Sequence, residues 1–298
     1  MADNVRIGTN PIAWSNDDMR ELGGATPLEV CLSEAAEAGY TGIELGHKFP
    51  RDANLLKPIL AAHDIELVSG WYSSELLSRS VEEEIRALEP HLSLLTAMGC
   101  EVVVWAETSR CIHGEQGAKL SSRPVMTEEE WPVFTQRLSE IAAHLSRRGL
   151  KLAYHHHMGT VIETEPEIDR LMVETSDDVG LLLDTGHLTF AGGDPLAAVR
   201  RHITRIVHVH CKDVRNAVLA GVKAEDTSFL QAVVDGVFTV PGDGDVDFLP
   251  CLQVLAAAGY KGWLVVEAEQ DPAKANPFEY AKLGYNTLSQ LSREAGLA

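Results

Sequence analysis

The chain has 298 residues and a formal net charge of -19. This excess of carboxylates repels phosphate groups, which argues against nucleic acid or an anionic membrane as a partner. No stretch reaches the ~18 uninterrupted apolar residues of a membrane helix, and the first residues lack the pattern of a signal peptide. We therefore expect a cytoplasmic protein, and its five dispersed cysteines predict reduced, mostly packed thiols.

Short apolar strands alternate with amphipathic helices along the whole chain. The first helix is predicted to begin at Thr26, with Glu29 completing a capping box, and to stop at Gly39. Ser80 is predicted to cap a long helix that ends near Gly99. Strand centres are predicted near residues 7, 43, 67, 103, 153, 181, 207 and 264.

Eight strands, each followed by a helix, predict an α/β fold: a single (β/α)8 TIM barrel over residues 1–298. The alternative fold, a doubly wound sheet, typically has a glycine-rich phosphate-binding loop after its first strand. Residues 8–11 do not have the sequence of such a loop. The segment 106–126 is longer than an ordinary βα loop, so we expect it to be functional and to act as a lid. Segment 240–247 lacks the spacing of a calcium loop and predicts a turn into a helix.

Four of the predicted strands end in side chains that commonly bind metals. In such barrels the active site lies at the C-terminal ends of the strands, so these side chains are expected to share one site. Two imidazoles and two carboxylates suit Mn²⁺, Co²⁺, Fe²⁺ or Zn²⁺ better than Ca²⁺. Each side chain alone would be an ordinary polar residue at the barrel mouth, but together they favour a metal. The four are His155, Asp184, His210 and Glu267.

The two-residue period of a strand predicts where the neighbouring histidines point. His157 shares the face of His155, whereas His156 points the other way. His208 shares the face of His210 one layer deeper. It is therefore either a packed histidine or one that supports the metal ligand.

Two further residues near the predicted ligands are candidates for contact with a substrate. Glu269 shares the face of Glu267 and is expected to lie beyond the metal, toward substrate or solvent. His187 lies three residues after Asp184, at the turn from strand to helix. It either reaches a bound substrate or caps the helix.

Residues at or near the predicted strand ends are candidates for substrate binding. Aromatic residues at a barrel mouth often stack on the apolar face of a carbohydrate, although large residues that cap a core are commoner. A lysine and an arginine after the seventh strand either bind a polyol or carbonyl oxygen or form a solvated turn. The candidates are Asn10, Trp14, Glu44, Trp71, Lys212 and Arg215.

These motifs carry a family resemblance that spans essentially the whole chain. The set of strand-end ligands resembles that of the xylose-isomerase-like sugar isomerase and epimerase barrels. More closely, the chain is similar to the inosose dehydratases of inositol catabolism. The specific stretches are residues 7–18, 44–50 and 155–160, whereas 184–187 and the His-x-His strand are shared by the wider superfamily.

The resemblance implies a hydro-lyase that removes water from scyllo-inosose (2-keto-myo-inositol) to give a trihydroxycyclohexane-1,2-dione. It implies Mn²⁺ or Co²⁺ as the cofactor, whereas the donor set by itself also allows Zn²⁺ or Fe²⁺. Glutathione is implied by the family only, because no residue indicates a glutathione site. The implied partner is a small polyol ketone, and a homo-oligomer is left open.

Alternatives remain on the same scaffold. An inosose or ketose isomerase or epimerase would convert its substrate without loss of water, and a sugar-sensing barrel would not turn it over. An endonuclease-type member of the superfamily is disfavoured by the net charge of -19.

One departure from the superfamily pattern bears on the reaction. Where the resembling isomerases and epimerases carry a glutamate at the end of strand five, this chain has His155. That glutamate is one of their two acid/base groups, so a lyase fits the chain better. For the dehydration, Glu267 or His155 is expected to be the base, and His187 or His157 the acid.

Overall fold

Eight parallel strands close into a barrel in the computed structural model, which describes residues 5–297. Each barrel strand pairs with its neighbours in chain order, and the last, Gly262–Val266, pairs with the first, Val5–Thr9. All eight predicted strand centres lie within these strands, which confirms the predicted (β/α)8 barrel. The barrel strands are β1 Val5–Thr9, β2 Gly42–Leu45, β3 Glu66–Ser74, β4 Val102–Glu107, β5 Lys151–His155, β6 Val179–Asp184, β7 Ile206–Cys211 and β10 Gly262–Val266.

Helices surround the barrel, and the main apolar core lies between them and the strands. Within residues 5–297 no helix is both long and apolar enough to cross a membrane. Residues 1 and 298, which bound the predicted domain, lie outside the described residues. So does most of the N-terminal stretch that lacks the pattern of a signal peptide. The helices are α1 Leu28–Ala38, α2 Ala53–Ala61, α3 Val81–Met98, α4 Glu130–Arg147, α5 Glu165–Glu174, α6 Thr185–Phe190, α7 Pro195–His202, α8 Asn216–Glu225, α9 Phe229–Val234, α10 Phe248–Ala257 and α11 Pro277–Ala295.

The two predicted helix caps have different outcomes. The predicted cap of α3 at Ser80 is confirmed. The structure adds a full capping box, because the side chains of Ser80 and Glu83 each accept the backbone N–H of the other residue. The predicted cap at Thr26 is wrong: α1 begins at Leu28, and its N-cap Pro27 makes no side-chain hydrogen bond. The Thr26 carbonyl instead accepts a hydrogen bond from the Lys48 ammonium, which holds the segment before the helix in place.

The inside of the barrel is filled by side chains from alternate positions of the strands. One apolar cluster contains Val68, Trp263 and Val265. Gly42 faces this cluster, and a Cβ atom there would lie 2.4 Å from the Trp263 ring. The absence of a side chain at this position is therefore what makes room for the indole.

An excursion between β7 and β10 was not predicted from the sequence. It contains α8, α9 and a two-stranded antiparallel sheet of β8 Asp213–Val214 and β9 Phe238–Thr239. Strands of two residues have no periodicity to detect, which is why the sequence did not reveal them. The Asp213 carboxylate accepts four backbone N–H groups, from Val214, Gly242, Gly244 and Val246. Segment 240–247 is thus a turn into α10, as predicted, and is organised by a carboxylate within the chain.

Candidate metal and active site

The four predicted ligands meet at the C-terminal end of the barrel. His155 ends β5, Asp184 ends β6, His210 lies near the end of β7, and Glu267 follows β10. One potential ligand atom from each side chain lies within 4.8 Å of all the others, and all four residues are buried. The sequence therefore identified a cluster that the fold brings together, and its donor set suits a divalent metal.

Hydrogen bonds to the backbone and to Glu44 orient both histidine ligands. His155 donates its Nδ1–H to the His156 carbonyl at 2.7 Å, which leaves Nε2 free, 3.6 Å from Asp184 Oδ2. His210 Nε2 lies 3.2 Å from Glu44 Oε1, and its Nδ1 lies 3.5 Å from Asp184 Oδ2. Each imidazole thus directs one nitrogen into the cluster while a fixed partner holds the other, the usual arrangement of metal-binding histidines.

Several buried polar atoms in this cluster lack an ordinary partner. Asp184 Oδ2, His210 Nδ1 and Glu267 Oε2 have no hydrogen-bond partner among the described residues. Glu267 Oε2 lies 2.6 Å from His210 Nδ1, but the two groups are not aligned as a hydrogen bond. Buried polar atoms of this kind are normally satisfied, so their convergence fits a metal ion as the missing partner.

The charges of the site also favour a cation. Burial opposes a charge on His210, but the carboxylates of Glu44 and Glu267 hold the pKa of its imidazole well above the ordinary value. Burial likewise opposes ionisation of Asp184, but the Lys212 ammonium and nearby imidazoles hold the pKa of this carboxyl well below its usual range. The site therefore keeps Asp184 ionised and surrounds His210 with negative charge, which attracts a cation.

A second buried group lies beside the ligands, centred on Lys212. Its Nζ is 2.6 Å from Glu269 Oε1, 2.9 Å from His187 Nε2 and 3.6 Å from Glu267 Oε2. The His187 ring lies against that of His157, with 3.9 Å between ring centroids. Of the two alternatives left open for Lys212, the solvated turn is excluded, because its side chain is 0% exposed. It is instead a buried ammonium that neutralises the neighbouring carboxylates.

The unpredicted excursion and a glycine make the space for this lysine. A Cβ atom at Gly186 would lie 2.4 Å from Lys212 Cγ, so only glycine fits there. Phe238 of β9 places its ring 4.6 Å from the ammonium, a cation–π contact. Phe229 of α9 packs on His157, with 5.3 Å between ring centroids. The excursion between β7 and β10 therefore closes this side of the site.

A cavity of about 210 Å³ opens on the cluster. Its lining includes both polar groups and apolar side chains, as is usual for a small-molecule site. Of the four proposed acid/base residues, Glu267 and His157 line the cavity, whereas His155 and His187 lie in the wall behind it. The cavity is lined by Asn10, Ile12, Asp17, Asp18, Glu44, Leu45, Trp71, Ser73, His113, His157, Glu267 and Glu269.

Three of the six predicted substrate-binding residues line this cavity: Asn10, Glu44 and Trp71. Both carboxylate oxygens of Glu44 already have partners, since Oε1 accepts from His208 and Oε2 from the Asn10 amide. Glu44 therefore positions His210 rather than offering a free oxygen to a substrate. His208 supports the ligand through the same carboxylate and does not itself join the four-ligand cluster.

The other three predicted substrate-binding residues do not line the cavity. Lys212 is buried behind the carboxylates. Trp14 is 1% exposed, and its indole N–H donates to Glu34 at 2.6 Å, at a distance from the cavity lining. Arg215 donates to the carbonyls of Gly236 and Phe238 and pairs with Asp243, so it fastens the excursion. Neither Trp14 nor Arg215 is brought to the site, because local packing and hydrogen bonding turn both side chains elsewhere.

The sequence did not identify Asp18 and His113, which also line the cavity. His113 belongs to the long segment after β4, and Asp18 to the segment after β1. The sequence indicated their segments but not the residues themselves. Segment 106–126, which contains His113, is the long loop predicted to be functional, and Asp18 lies in the stretch 7–18 that carries the family resemblance.

The fold and the ligand set define a class of protein. A family model described as "Xylose isomerase-like TIM barrel" matches residues 32–290. The chain belongs to this family.

Among its relatives, the rhizopine catabolism protein MocC of Rhizobium meliloti is 51% identical over 293 residues, which is 98% of this chain and 90% of that protein. The inosose dehydratase of Geobacillus thermodenitrificans is 50% identical over 281 residues, 94% of each chain. The resemblance to inosose dehydratases is thereby confirmed.

Solved structures share the fold at much lower identity. The structure described as the IOLI protein with a binding zinc atom has a TM-score of 0.67 and 16% identity, over 98% of each chain. At this identity the likeness concerns the fold alone.

Proposed function

We propose that the protein is a metal-dependent hydro-lyase that removes water from scyllo-inosose to give a trihydroxycyclohexane-1,2-dione. The observation that carries this proposal is the pairing of a four-ligand metal cluster with a second buried acid/base group, both beside one cavity. We infer the substrate from the inosose dehydratases among its relatives. The same ligands suit Mn²⁺ or Co²⁺, with Zn²⁺ or Fe²⁺ as further options.

The proposed metal would be held by His155, Asp184, His210 and Glu267. When bound, a divalent cation supplies a Lewis acid that polarises the ketone and makes the neighbouring C–H acidic. The residues of the chain must then take up that proton and release the hydroxyl from the next carbon.

We assign the base to His157. Its Nδ1–H donates to the Met158 carbonyl at 2.9 Å, so Nε2 carries the free lone pair. Burial, with the nearby His113, lowers the pKa of His157 well below the ordinary value, which keeps the imidazole neutral. A neutral imidazole in the cavity wall is suited to accept a proton, so this assignment reverses the acid role expected for His157.

We assign the acid to Glu269, which lines the same cavity. Burial raises the pKa of Glu269 to about 7, against the opposing effect of the Lys212 ammonium. Its Oε2 has no hydrogen-bond partner among residues 5–297 and is free to hold the proton for the departing hydroxyl. The C–H proton thus goes to His157, the C–O bond breaks, and the hydroxyl leaves as water. The enol that remains tautomerises to the dione.

Mass spectrometry tests the reaction itself. The metal-free protein is incubated with scyllo-inosose, with and without Mn²⁺ or Co²⁺. We expect a product lighter by one water only when the metal is present. An isomer of unchanged mass would instead support an isomerase or epimerase, and no conversion with any metal would contradict both.

Deuterium exchange separates the two proton-transfer roles. In D₂O, His157→Gln should lose both dehydration and exchange of the substrate C–H, because the base is missing. Glu269→Gln should still exchange this proton while dehydration slows by about 100-fold or more. Loss of exchange in Glu269→Gln, with exchange retained in His157→Gln, would reverse the assignment.

The similarity to MocC raises a second candidate function, a reaction in rhizopine catabolism. That relative is named for rhizopine catabolism and is as similar to the chain as the inosose dehydratases are. Comparing kcat/KM for scyllo-inosose with that for rhizopine-derived compounds would decide between them. A higher value for the latter would favour the second candidate.

A further inference from the structure

Asp18 and His113 form a polar pair that the chemistry above does not use. Both line the same cavity as Glu267 and Glu269. His113 packs edge-on against His157, with 5.0 Å between ring centroids, and is not one of the metal-ligand candidates. The pair is therefore separate from the metal-ligand candidates but faces the same cavity.

The geometry of this pair leaves hydrogen-bonding capacity unused. His113 Nε2 lies 3.9 Å from Asp18 Oδ1, which is too long for a hydrogen bond. His113 Nδ1 is buried and has no hydrogen-bond partner in the described part of the chain. An imidazole offers a donor and a carboxylate an acceptor, and a hydroxyl group can satisfy both at once.

The backbone around each residue holds the pair in place. The buried Asn16 side chain accepts the backbone N–H of Asp18 at 2.8 Å. Ile112, beside His113, donates its N–H to the Gly159 carbonyl at 2.9 Å. Gly159 has a φ of +74°, and a Cβ atom there would lie 2.9 Å from the His113 nitrogen. The loop can pack this closely on Gly159 only because that residue has no side chain.

The far end of the same loop is fastened as well. Ser121 donates its backbone N–H and its hydroxyl to Asp226, at 2.9 and 2.6 Å. Arg123 pairs with Glu167 at 2.8 Å. The segment that carries His113 is thus tied to the excursion and to α5, so its histidine is held at a defined position in the cavity wall.

We propose that Asp18 and His113 form a subsite for a ring hydroxyl of the cyclic polyol, with Trp71 against the apolar face of the ring. This subsite rests on the proposed function. Trp71 lines the cavity and lies 6.3 Å from His113 between ring centroids. The lining contains no arginine or lysine, and with Asp17 and Asp18 present it suits a neutral hydroxyl rather than a phosphate.

Steady-state kinetics of the Mn²⁺-loaded enzyme with scyllo-inosose test the subsite. His113→Gln and Asp18→Asn should each raise KM about tenfold, as expected for one lost hydrogen bond to the substrate. Asp18 is neither the proposed base nor the proposed acid, so kcat of Asp18→Asn should stay within about twofold. His113 also lowers the pKa of the base His157, so His113→Gln is judged by KM and by ligand affinity rather than by kcat. Because both act on one hydroxyl, the double variant should lose less than the product of the two single effects.

A second histidine–carboxylate pair provides the matched control. His63 Nε2 lies 3.3 Å from Glu29 Oε1, and its side chain is 11% exposed, against 14% for His113. His63 does not line the cavity. His63→Gln should therefore leave KM unchanged. Equal thermal midpoints would show that the His113 and Asp18 variants remain folded.

Calorimetric binding of myo-inositol, a cyclic polyol without a ketone, distinguishes failure of the subsite from failure of the proposed function. Weaker binding by His113→Gln, in an enzyme that does not dehydrate scyllo-inosose, would uphold the subsite and reject the function. Dehydration by variants that keep the wild-type KM and affinity would overturn the subsite and leave the function standing.

Discussion

At the scale of single residues, the site works by occupying one polar atom of a side chain so that another is free. Glu44 does this to His210: its Oε1 occupies Nε2 of that imidazole and leaves Nδ1 without a partner among the described residues. The same oxygen binds His208, and the other oxygen of Glu44 accepts from Asn10. Burial opposes its charge, but these histidines hold the pKa of Glu44 well below its usual range. The carboxylate therefore stays ionised and fixes which nitrogen of His210 faces the cluster.

Glu44→Gln is expected to weaken metal binding by about 10- to 100-fold, because the amide orients His210 less firmly and adds no charge. Titration calorimetry with Mn²⁺ measures this change. Glu34→Gln is the control, since Glu34 binds the Trp14 indole away from the cavity. Unchanged Mn²⁺ affinity in Glu44→Gln would contradict the positioning role.

At the scale of elements, the excursion between β7 and β10 completes the site. Its Phe238 contacts the Lys212 ammonium, and its Phe229 packs on His157. Asp213, directly after Lys212 in the chain, joins β8 to the turn that leads into α10. A single buried carboxylate thus couples the wall of the active site to the next helix of the barrel.

Asp213→Ala should lower the free energy of unfolding by about 2–4 kcal/mol, because four backbone N–H groups lose a charged acceptor. Urea denaturation followed by circular dichroism measures this loss. Asp245→Ala, in the same turn, removes one exposed acceptor of the Asn216 N–H and should cost about 1 kcal/mol or less. Equal losses in the two variants would argue against Asp213 as the organising residue.

At the scale of the whole molecule, the site depends on closure of the barrel. The four metal-ligand candidates come from β5, β6, β7 and the residue after β10, so no single βα unit contains them. Closure in turn requires an interior packed without overlap. At Gly42 the side chains of Trp263 and Val68 both lie within 2.6 Å of the position that a Cβ atom would take.

Gly42→Ala should destabilise the fold by about 1–3 kcal/mol, because the new methyl group overlaps the Trp263 ring and Val68. Gly221→Ala is the matched substitution in α8, where a Cβ atom would meet nothing within 4 Å. It should stabilise by about 0.5–1 kcal/mol, since alanine favours the helix. Thermal unfolding measures the change in stability of both variants, which should have opposite signs. An unchanged stability of Gly42→Ala would mean that the barrel interior rearranges to accommodate the methyl group.

The sequence by itself determined the barrel and the convergence of the four metal-ligand candidates at one end of it. Strand positions follow from short apolar runs, and parallel strands of one barrel bring their C-terminal ends together. Residues that end such runs, such as His155 and Asp184, can therefore be predicted to be neighbours without any knowledge of side-chain packing. Both inferences depend on local pattern and on the symmetry of the fold.

Only the tertiary structure decided which loop residues reach the cavity. Lys212 and Arg215 are three positions apart, yet one is buried among carboxylates and the other fastens a loop. Asp18 and His113 come from different βα loops and meet only because Asn16 and Gly159 hold their backbones. Such positions depend on contacts between segments far apart in the chain, for which no local periodicity exists.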